Sequence, residues 1–332
     1  MKSFFQRCLA NRKLRRLMIL VLVAFVALNV IAFLQARGMT HFAPAGTRTK
    51  PAELLSFSEK CGVLLTGVTL PKPVNEKTPA DFGLPFETAS IKSTHEISLE
   101  AWLIAKPDSK GLVLLFHGYG ASKDSLLPVA KVLHELGYET MLVDFRGSGG
   151  SSGLETSIGY HEAEDVAAVF EYAKKLKPGR PVILYGASMG ASAVLRSVHA
   201  QNVQPDALIL ECPFDRLLST VQMRFKAMKL PSFPLAHLLV FWGGVQQGFN
   251  GFGHNPAEYA RSVHCPVLLM HGDSDARISV EQIGNIRKNL PASTTFKLFP
   301  GLDHQSYLEA QPEEWNNTIT EFLKVYVSPG HR

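Results

Sequence analysis

The chain has 332 residues, 46% of them apolar, which is enough for a sizeable core in one large or two medium domains. The first 50 residues hold nine Lys or Arg and no acid, so the remaining 25 basic and 29 acidic residues give the body a net charge of −4. This mildly acidic body lacks the basic surface that nucleic-acid binding requires. Four cysteines show no metal-site spacing and no disulfide framework, and Cys212 and Cys265 are interpreted as small buried residues.

The amino-terminal part predicts a membrane anchor. An apolar run of 18 residues, Leu17 to Leu34, follows a basic segment and spans roughly 27 Å, close to the ~30 Å hydrocarbon core of a bilayer. We therefore expect residues 1–16 in the cytoplasm, a transmembrane signal anchor at 17–35, and the body outside the cytoplasm, in a periplasmic, extracellular or lumenal space. A cleaved signal peptide is the alternative. The run is long for one, and the nearest small-residue site, Ala43-Pro44-Ala45, lies downstream with a proline inside it.

The rest of the chain reads as a linker followed by one α/β domain. Residues 36–60 mix Gly, Pro, Thr and charge and predict a linker, and the domain is expected at 61–330. Its first strand-like segments are Gly62 to Leu70, Phe86 to Ser93 and Ile97 to Ile104. Short apolar runs then alternate with helical patterns, which is typical of βαβ units and a parallel sheet. The predicted buried strands are Leu112 to Phe116, Thr140 to Asp144, Val182 to Tyr185, Ala207 to Glu211, Val267 to Met270 and Thr295 to Phe299, and the predicted helices are Ser125 to Leu136, Tyr160 to Lys175, Met189 to Ala200, Ser279 to Leu290 and Pro312 to Val327.

One interval interrupts this alternation. About fifty residues between Glu211 and Cys265 contain no core strand, and a cap at about 213–262 would lie above the carboxyl edge of the sheet, where ligands bind in open α/β folds. Its segment from Leu230 to Trp242 is strongly apolar but too short to span a bilayer. This segment predicts an acyl-chain pocket, a lid facing the membrane, or a helix that simply packs on the sheet.

The stretch Gly186-Ala187-Ser188-Met189-Gly190 fits the nucleophile-elbow pattern G-x-S-x-G. A strand-like run precedes it and a helix-like run follows, so Ser188 is expected on a sharp strand-to-helix turn. The glycines leave room where a Cβ would meet neighbouring backbone. A glycine-rich turn with an incidental serine is the alternative reading of the five residues alone.

A serine nucleophile needs a base and an acid that orients the base. His304 follows the last predicted strand and is the expected base, whereas His117 is expected to shape its own turn. Asp275, shortly after the strand ending at Met270, is the expected acid, with Asp273 and Glu211 as alternatives. The chain order Ser, Asp, His is that of α/β-hydrolases.

Backbone N–H groups are suitable donors to the oxyanion of a tetrahedral intermediate. Met189, the residue after the nucleophile, supplies one of them. The turn His117-Gly118-Tyr119-Gly120 lies about seventy residues before the elbow and directly after a buried strand. The N–H of Tyr119 is therefore the second expected donor.

The chain resembles serine α/β-hydrolases from about Phe86 to Val327. The resemblance rests on His117-Gly118-Tyr119-Gly120, Asp144-Phe145-Arg146-Gly147-Ser148-Gly149, Gly186-Ala187-Ser188-Met189-Gly190, His271-Gly272-Asp273-Ser274-Asp275 and Asp303-His304. It is most similar to membrane-anchored α/β-hydrolase-domain proteins and to the serine-aminopeptidase-like and monoacylglycerol-lipase-like groups. One departure is Thr94-His95-Glu96, where relatives read D-G.

This resemblance implies an α/β-hydrolase fold, with a mostly parallel eight-stranded sheet flanked by helices and a helical cap after the sixth strand. It also implies a triad of Ser188, Asp275 and His304, and it implies that Asp144 and Arg146 brace the site without moving protons.

The combined interpretation is a membrane-anchored serine hydrolase that cleaves an ester or thioester of an acyl or lipid-like substrate through an acyl-enzyme. No cofactor or metal and no nucleic acid are expected, and the expected partners are the small-molecule substrate and the bilayer. A serine aminopeptidase or amidase is the alternative, which would need an acidic group to hold the substrate amine. A third reading is a catalytically silent hydrolase-fold protein that binds a partner or lipid.

Overall fold

One long apolar helix opens the described part of the chain. The computed structural model describes residues 12–50 and 54–326, and helix α1 runs from Arg12 to Thr40. Among these residues it is the one helix long and apolar enough to cross a membrane, and only 6% of its apolar span is buried in the protein. Its side chains between Leu17 and Val30 are largely exposed. Residues 1–11 of the predicted cytoplasmic segment lie outside the described residues.

The predicted strand Gly62 to Leu70 is wrong, because the chain there forms helix α2, Phe57–Thr66. Ser56 begins this helix with a capping box. Its hydroxyl accepts a hydrogen bond from the Glu59 N–H at 3.3 Å, and the Glu59 carboxylate accepts one from the Ser56 N–H at 2.7 Å. These two bonds satisfy free donors at the start of the helix. Short apolar runs do not by themselves distinguish strand from helix, and here the cap favours the helix.

An eight-stranded sheet forms the centre of the body, in the order β1-β2-β4-β3-β5-β6-β7-β8. Strand β2 is antiparallel to both of its neighbours, and the pairings from β4 to β8 are parallel. The strands are β1 Glu87–Lys92, β2 Ser98–Ile104, β3 Leu112–Phe116, β4 Glu139–Val143, β5 Val182–Ala187, β6 Ala207–Glu211, β7 Val267–Gly272 and β8 Thr294–Phe299. This confirms the predicted fold class and all of its predicted strands from β1 onward.

Helices cover both faces of the sheet. Successive strand residues point to opposite faces, so Leu112, Leu114 and Phe116 of β3 pack in one apolar cluster and Val113 and Leu115 in the other. Both sides of the strand are therefore buried, which explains its continuous apolar sequence. The helices of the body are α3 Leu127–Glu135, α4 Glu162–Leu176, α5 Met189–Ala200, α6 Leu217–Ala227, α7 Leu235–Gln247, α8 Pro256–Tyr259, α9 Val280–Arg287, α10 Tyr307–Ala310 and α11 Pro312–Tyr326.

The cap is helical and follows the sixth strand, as predicted, with α6 and α7 lying between β6 and β7. Helix α7 also packs against the end of α1. The Trp242 indole N–H donates to Asn29 Oδ1 at 3.1 Å, and the Gln246 amide donates to the Phe33 carbonyl at 2.9 Å. The Phe33 and Trp242 rings meet edge to face at 5.4 Å. The carboxyl end of helix α1 is thus part of the folded body, and residues 36–40 and 57–60 of the predicted linker are helical.

Candidate active site

The nucleophile turn owes its shape to two glycines. Ser188 stands between β5 and α5 with φ of 52° and ψ of −112°, a strained backbone that lifts its side chain out of the turn. A Cβ on Gly186 would lie 2.5 Å from the Ala191 nitrogen, and one on Gly190 would collide with the Phe116 carbonyl oxygen. Any larger residue at these two positions would open the turn. The pattern of small residues in the sequence therefore has a steric cause.

The structure brings Ser188, His304 and Asp275 together from three separate loops. The Ser188 Oγ lies 3.0 Å from His304 Nε2, and His304 Nδ1 lies 2.7 Å from Asp275 Oδ2. The other carboxylate oxygen of Asp275 accepts the N–H groups of Arg277 at 2.7 Å and Ile278 at 2.9 Å. These bonds fix the carboxylate, which fixes the imidazole. A neutral His304 that donates Nδ1–H to Asp275 is left with Nε2 free to accept the serine proton.

The two alternative acids are occupied elsewhere. Asp273 accepts the Gly301 N–H at 2.7 Å and the Ser274 hydroxyl at 3.0 Å. Glu211 accepts the indole N–H of Trp315 at 2.6 Å, and burial raises the pKa of its carboxyl. Within the described residues, neither carboxylate contacts His304. Only the position of Asp275 suits the acid of a triad.

His117 holds the turn that carries Tyr119. Its Nδ1 bonds the Gly118 carbonyl at 2.8 Å and its Nε2 accepts the Phe145 N–H at 3.1 Å. Burial lowers the pKa of His117, so the ring stays neutral in this bonding pattern. A Cβ on Gly118 would lie 3.6 Å from the Ser188 Cβ. The turn with the Tyr119 N–H therefore passes directly beside the nucleophile, as an oxyanion donor must.

The side chain of Tyr119 connects this turn to the anchor helix. Its hydroxyl donates to the Met39 carbonyl at 2.6 Å, near the end of α1. Burial raises the pKa of Tyr119 to about 12, so the phenol remains protonated and keeps this bond. The position of α1 and the position of the oxyanion turn are thus coupled.

Asp144 and Arg146 lie behind the site and bind other protein groups. Asp144 accepts hydrogen bonds from the backbone N–H of Lys123 at 2.8 Å and of Gly150 at 2.9 Å. Arg146 pairs with Asp165 through Nε at 3.0 Å and Nη2 at 2.7 Å. These contacts hold the loop after β4 in shape and join it to Lys123 and to Asp165 of α4. The role of bracing groups, which the resemblance implied, agrees with these contacts.

Cys212 is a site residue that sequence reasoning missed. It is buried, as predicted, but it lies immediately after β6 with φ of 40°. Its Sγ, a carboxylate oxygen of Asp275 and a ring nitrogen of His304 lie within 4.8 Å of one another. Among the described residues this is the one group of side chains arranged so that it could ligate a metal ion. The available signal was its position after Glu211, since Glu211 pairs in register with Ala187 beside the nucleophile.

The charge state of His304 depends on these neighbours. Burial lowers the pKa of His304, but its neighbours Cys212 and Asp275 outweigh this effect and raise the pKa to about 10. General-base catalysis needs the neutral imidazole, so activity should increase as the pH rises through the pKa of His304.

We therefore expect kcat/KM to rise along an acid limb with an apparent pKa above 6.5, the ordinary value for His. Cys212→Ala should move this limb to lower pH, because it removes a neighbour that raises the pKa of His304. Rates measured from pH 5 to 11 would test this, with Cys265→Ala as the control, since Cys265 has no part in the triad cluster. An unchanged limb in Cys212→Ala would contradict the assigned cause.

An apolar cavity lies between the anchor helix, the cap and the loop before α4. Its volume is about 40 Å³, so the space between the lining side chains is narrow and would have to widen to hold an acyl chain. Two hydrogen bonds connect the cavity walls to Tyr119 and Met189, the two expected oxyanion donors. Met39 of its lining accepts the Tyr119 hydroxyl, and Thr156, next to Ser157 of its lining, bonds the Met189 sulfur at 3.6 Å. The lining residues are Ala36, Met39, Thr40, Ser157, Ile158, Leu217, Val221, Leu239, Val240, Gly243 and Phe249.

Comparisons with known proteins agree with this fold. A family model described as "Serine aminopeptidase, S33" matches residues 107–243. The chain is 24% identical over 236 residues to the uncharacterized protein YqkD of Bacillus subtilis (strain 168). That match covers 70% of this chain and 77% of YqkD. It is 26% identical over 244 residues to lysophosphatidylserine lipase ABHD12 of Macaca fascicularis. That match covers 64% of this chain but only 58% of the lipase.

A solved structure is similar over most of the body. The esterase Pf2001 of Pyrococcus furiosus superposes with a TM-score of 0.66 at 26% identity, covering 78% of this chain and 97% of the esterase. The sheet, the nucleophile turn and these matches define the chain as a serine hydrolase with the α/β-hydrolase fold. It belongs to the α/β-hydrolase superfamily, and its relatives place it among hydrolases of the lipase and esterase type.

Proposed function

We propose that this chain is a membrane-anchored hydrolase of long-chain acyl esters that works through an acyl-enzyme. Ser188 attacks the carbonyl carbon while His304 takes the hydroxyl proton, and His304 then protonates the leaving alcohol. Asp275 holds the imidazole in the required tautomer and stabilises its positive charge. The N–H groups of Met189 and Tyr119 stabilise the oxyanion. Water then repeats the sequence on the acyl-enzyme and releases the acid.

The single observation that carries this proposal is the linear arrangement of the three side chains, with Ser188 Oγ 3.0 Å from His304 Nε2 and His304 Nδ1 2.7 Å from Asp275 Oδ2. A metal-dependent or purely binding role would not need a serine on a strained turn at hydrogen-bond distance from a buried histidine. Fluorophosphonate labelling of Ser188 is the direct test of this site.

The apolar cavity supports an acyl ester as the substrate. Its lining residues from the described part of the chain include no Asp or Glu, whereas an aminopeptidase needs an acidic group to hold the substrate amine. The surfaces that meet there are α1 and the cap, so an acyl chain would lie between the anchor and α7. The lipase and esterase names of the relatives agree with an ester substrate.

Gly243 offers a specific test of the acyl cavity. It lines the cavity, and a Cβ added to it would meet no atom within 4 Å, so Gly243→Leu fills space without moving backbone. We expect this variant to lose about tenfold or more in kcat/KM for esters of long acyl chains and to keep most of its activity on acetyl and butanoyl esters. A panel of acyl esters of increasing chain length, run beside aminoacyl amides on the full chain in detergent, measures this.

Gly284→Leu is the matched control for that variant. Gly284 also has no atom within 4 Å of an added Cβ, but it lies in α9 and is not part of the cavity lining. Its chain-length profile should equal that of the wild type. Faster cleavage of aminoacyl amides than of any ester would contradict the proposed function. Equal losses by Gly243→Leu on short and long esters would contradict the location of the acyl chain.

The membrane topology is the remaining part of the proposal. The basic residues that precede the apolar run at Leu17 support an amino terminus in the cytoplasm and a catalytic body on the opposite side of the membrane. Digestion of sealed vesicles by an external protease would test this. If the body of cytoplasm-side-out vesicles is digested, the orientation is reversed.

A further inference from the structure

Three arginines from separate segments lie in the region of the oxyanion turn. Arg48 follows the anchor helix, and its Nη2 lies 3.6 Å from the position that a Cβ on Gly120 would take. Arg224 belongs to cap helix α6. Arg277 lies two residues after Asp275 and donates its backbone N–H to that carboxylate at 2.7 Å. The linker, the cap and the acid loop thus each contribute one guanidinium group to this cluster.

These guanidinium groups are close enough to act on one another. Burial first, and then the positive charges of Arg277 and Arg48, lower the pKa of Arg224, while Tyr119 acts in the opposite direction. Arg224 and Arg48 in turn oppose the rise in the pKa of Tyr119. All three side chains keep exposed surface.

The cluster has no acidic partner in the protein. Within residues 12–50 and 54–326, the side chains of Arg48, Arg224 and Arg277 make no hydrogen bond and no ion pair. By contrast, Arg146 binds Glu164 and Asp165, and Arg261 binds Glu258. Like charges held together without a counter-charge raise the free energy of the unliganded site. A bound anion would remove this repulsion.

We propose that Arg48, Arg224 and Arg277 form a subsite for an anionic group, a phosphate or a carboxylate, carried by the alcohol part of the ester substrate. Guanidinium groups bind both anions through paired N–H donors, and a cleft lined by one sign of charge concentrates ligands of the other sign. Val221, one turn before Arg224 on α6, lines the apolar cavity. The acyl chain and the anion would therefore occupy neighbouring regions, with the ester carbonyl at Ser188 between them. This inference rests on the proposed ester hydrolysis and adds the charge of the substrate.

Bilayer lipids are a second source of an anion for these arginines, because lipid phosphates also lie near the end of a membrane anchor. The test therefore compares two soluble esters with one acyl chain, butanoylglycerol and butanoylglycerol phosphate, without vesicles. We expect the wild type to prefer the phosphate ester. Arg224→Gln and Arg277→Gln should each raise KM for the phosphate ester by about tenfold, as expected for a lost hydrogen bond to a charged group, and leave the neutral ester within about twofold.

Arg261→Gln is the control for the loss of one arginine. Arg261 is exposed and pairs with Glu258 three residues away, so its removal should change neither ester. A butanoyl ester of glyceric acid, which carries a carboxylate in place of the phosphate, should lose affinity in the same two variants if the subsite recognises negative charge in general. A loss confined to the phosphate ester would restrict the subsite to phosphate and still support it.

Three outcomes would overturn the inference, and each differs from failure of the proposed function. Equal losses on neutral and anionic esters would mean a structural role for the arginines. An unchanged KM for the anionic esters in these variants would show that the arginines do not form an anion subsite. An effect that appears only after anionic phospholipid vesicles are added would assign the cluster to the bilayer. If the wild type cleaves no ester at all, it is the proposed function that fails.

Discussion

Ser188→Ala is expected to abolish labelling by a fluorophosphonate probe and to reduce kcat by about 10³-fold to 10⁶-fold. The probe forms a bond only with an activated nucleophile, and Ser188 Oγ is the hydroxyl that lies 3.0 Å from His304 Nε2. His304→Ala should lower kcat by at least ~10³-fold, because the remaining groups cannot accept the serine proton. Asp275→Asn should cost up to ~10⁴-fold, since an amide can hold His304 in the wrong tautomer.

The effects of these three substitutions on kcat should not be additive. Removing any one of these side chains disables the same proton transfer, so Ser188→Ala combined with His304→Ala should be close to Ser188→Ala alone. His264→Ala serves as the control histidine, because His264 is exposed and lies before the start of β7, whereas Asp275 follows the opposite end of that strand. Labelling that survives in Ser188→Ala would show that another residue is the nucleophile. Near-normal turnover by His304→Ala would show that His304 is not the general base.

The sequence predicted those features of the site that depend on local sequence. The nucleophile turn has a five-residue steric requirement, and the structure shows it at Gly186 and Gly190, where an added Cβ has no space. The fold class was predictable because strands buried on both faces read as continuous apolar runs. His304 and Asp275 could be proposed since each follows a predicted strand, although the choice of Asp275 over Asp273 and Glu211 depended on which carboxylate reaches the imidazole.

Features that depend on contacts between distant segments could not be predicted. The packing of α1 on α7 joins Asn29 and Trp242, which are 213 residues apart. The hydrogen bond between Tyr119 and Met39 likewise joins residues that are 80 positions apart in the sequence. Neither pairing has a local signal. For this reason the sequence predicted an anchor and a cap but not that the anchor forms one wall of the cavity beside the site.

One expected strand failed for a local reason. Residues 62–70 have an apolar pattern that fits a strand, but the capping box of Ser56 and Glu59 starts a helix six residues earlier. The anchor supports this helix, because the Gln35 amide donates to the Val63 carbonyl at 2.6 Å. An N-cap signal preceding a short apolar run therefore has more weight than the run itself.

The buried ion pair behind the site carries the largest stability effect that we expect from one substitution. The side chains of Lys123 and Asp144 have no exposed surface, and Lys123 Nζ lies 2.5 Å from Asp144 Oδ2. Lys123 also contacts Glu100 at 2.7 Å and lies 4.0 Å from the centre of the Trp102 ring. Burial alone would raise the pKa of Asp144, but the charge of Lys123 lowers it.

Asp144→Ala should lower the free energy of unfolding by about 3–5 kcal/mol, because it leaves a buried ammonium group with only the partly exposed Glu100 as a counter-charge. The reverse change, Lys123→Met, should cost a similar amount, since Met fills the space beside Trp102 but leaves Asp144 unpaired. The double variant Asp144→Asn with Lys123→Met removes both charges at nearly constant volume and should recover much of the loss. Chemical denaturation of the full chain in detergent measures all three. Glu258→Gln, which breaks the exposed pair with Arg261, should change stability by less than ~1 kcal/mol.

The pH dependence of stability distinguishes a lost charge pair from simple loss of packing. Because the pKa of Asp144 is lowered in the folded protein, its contribution is fully present above the unfolded-state value of about 3.9 and is lost as pH falls through the folded value. The difference between the wild type and Asp144→Ala should therefore be largest at neutral pH and shrink under acid conditions. A constant difference between pH 7 and pH 3 would mean that Asp144 stabilises the loops through its hydrogen bonds to Gly150 and Asn75 and not through its charge.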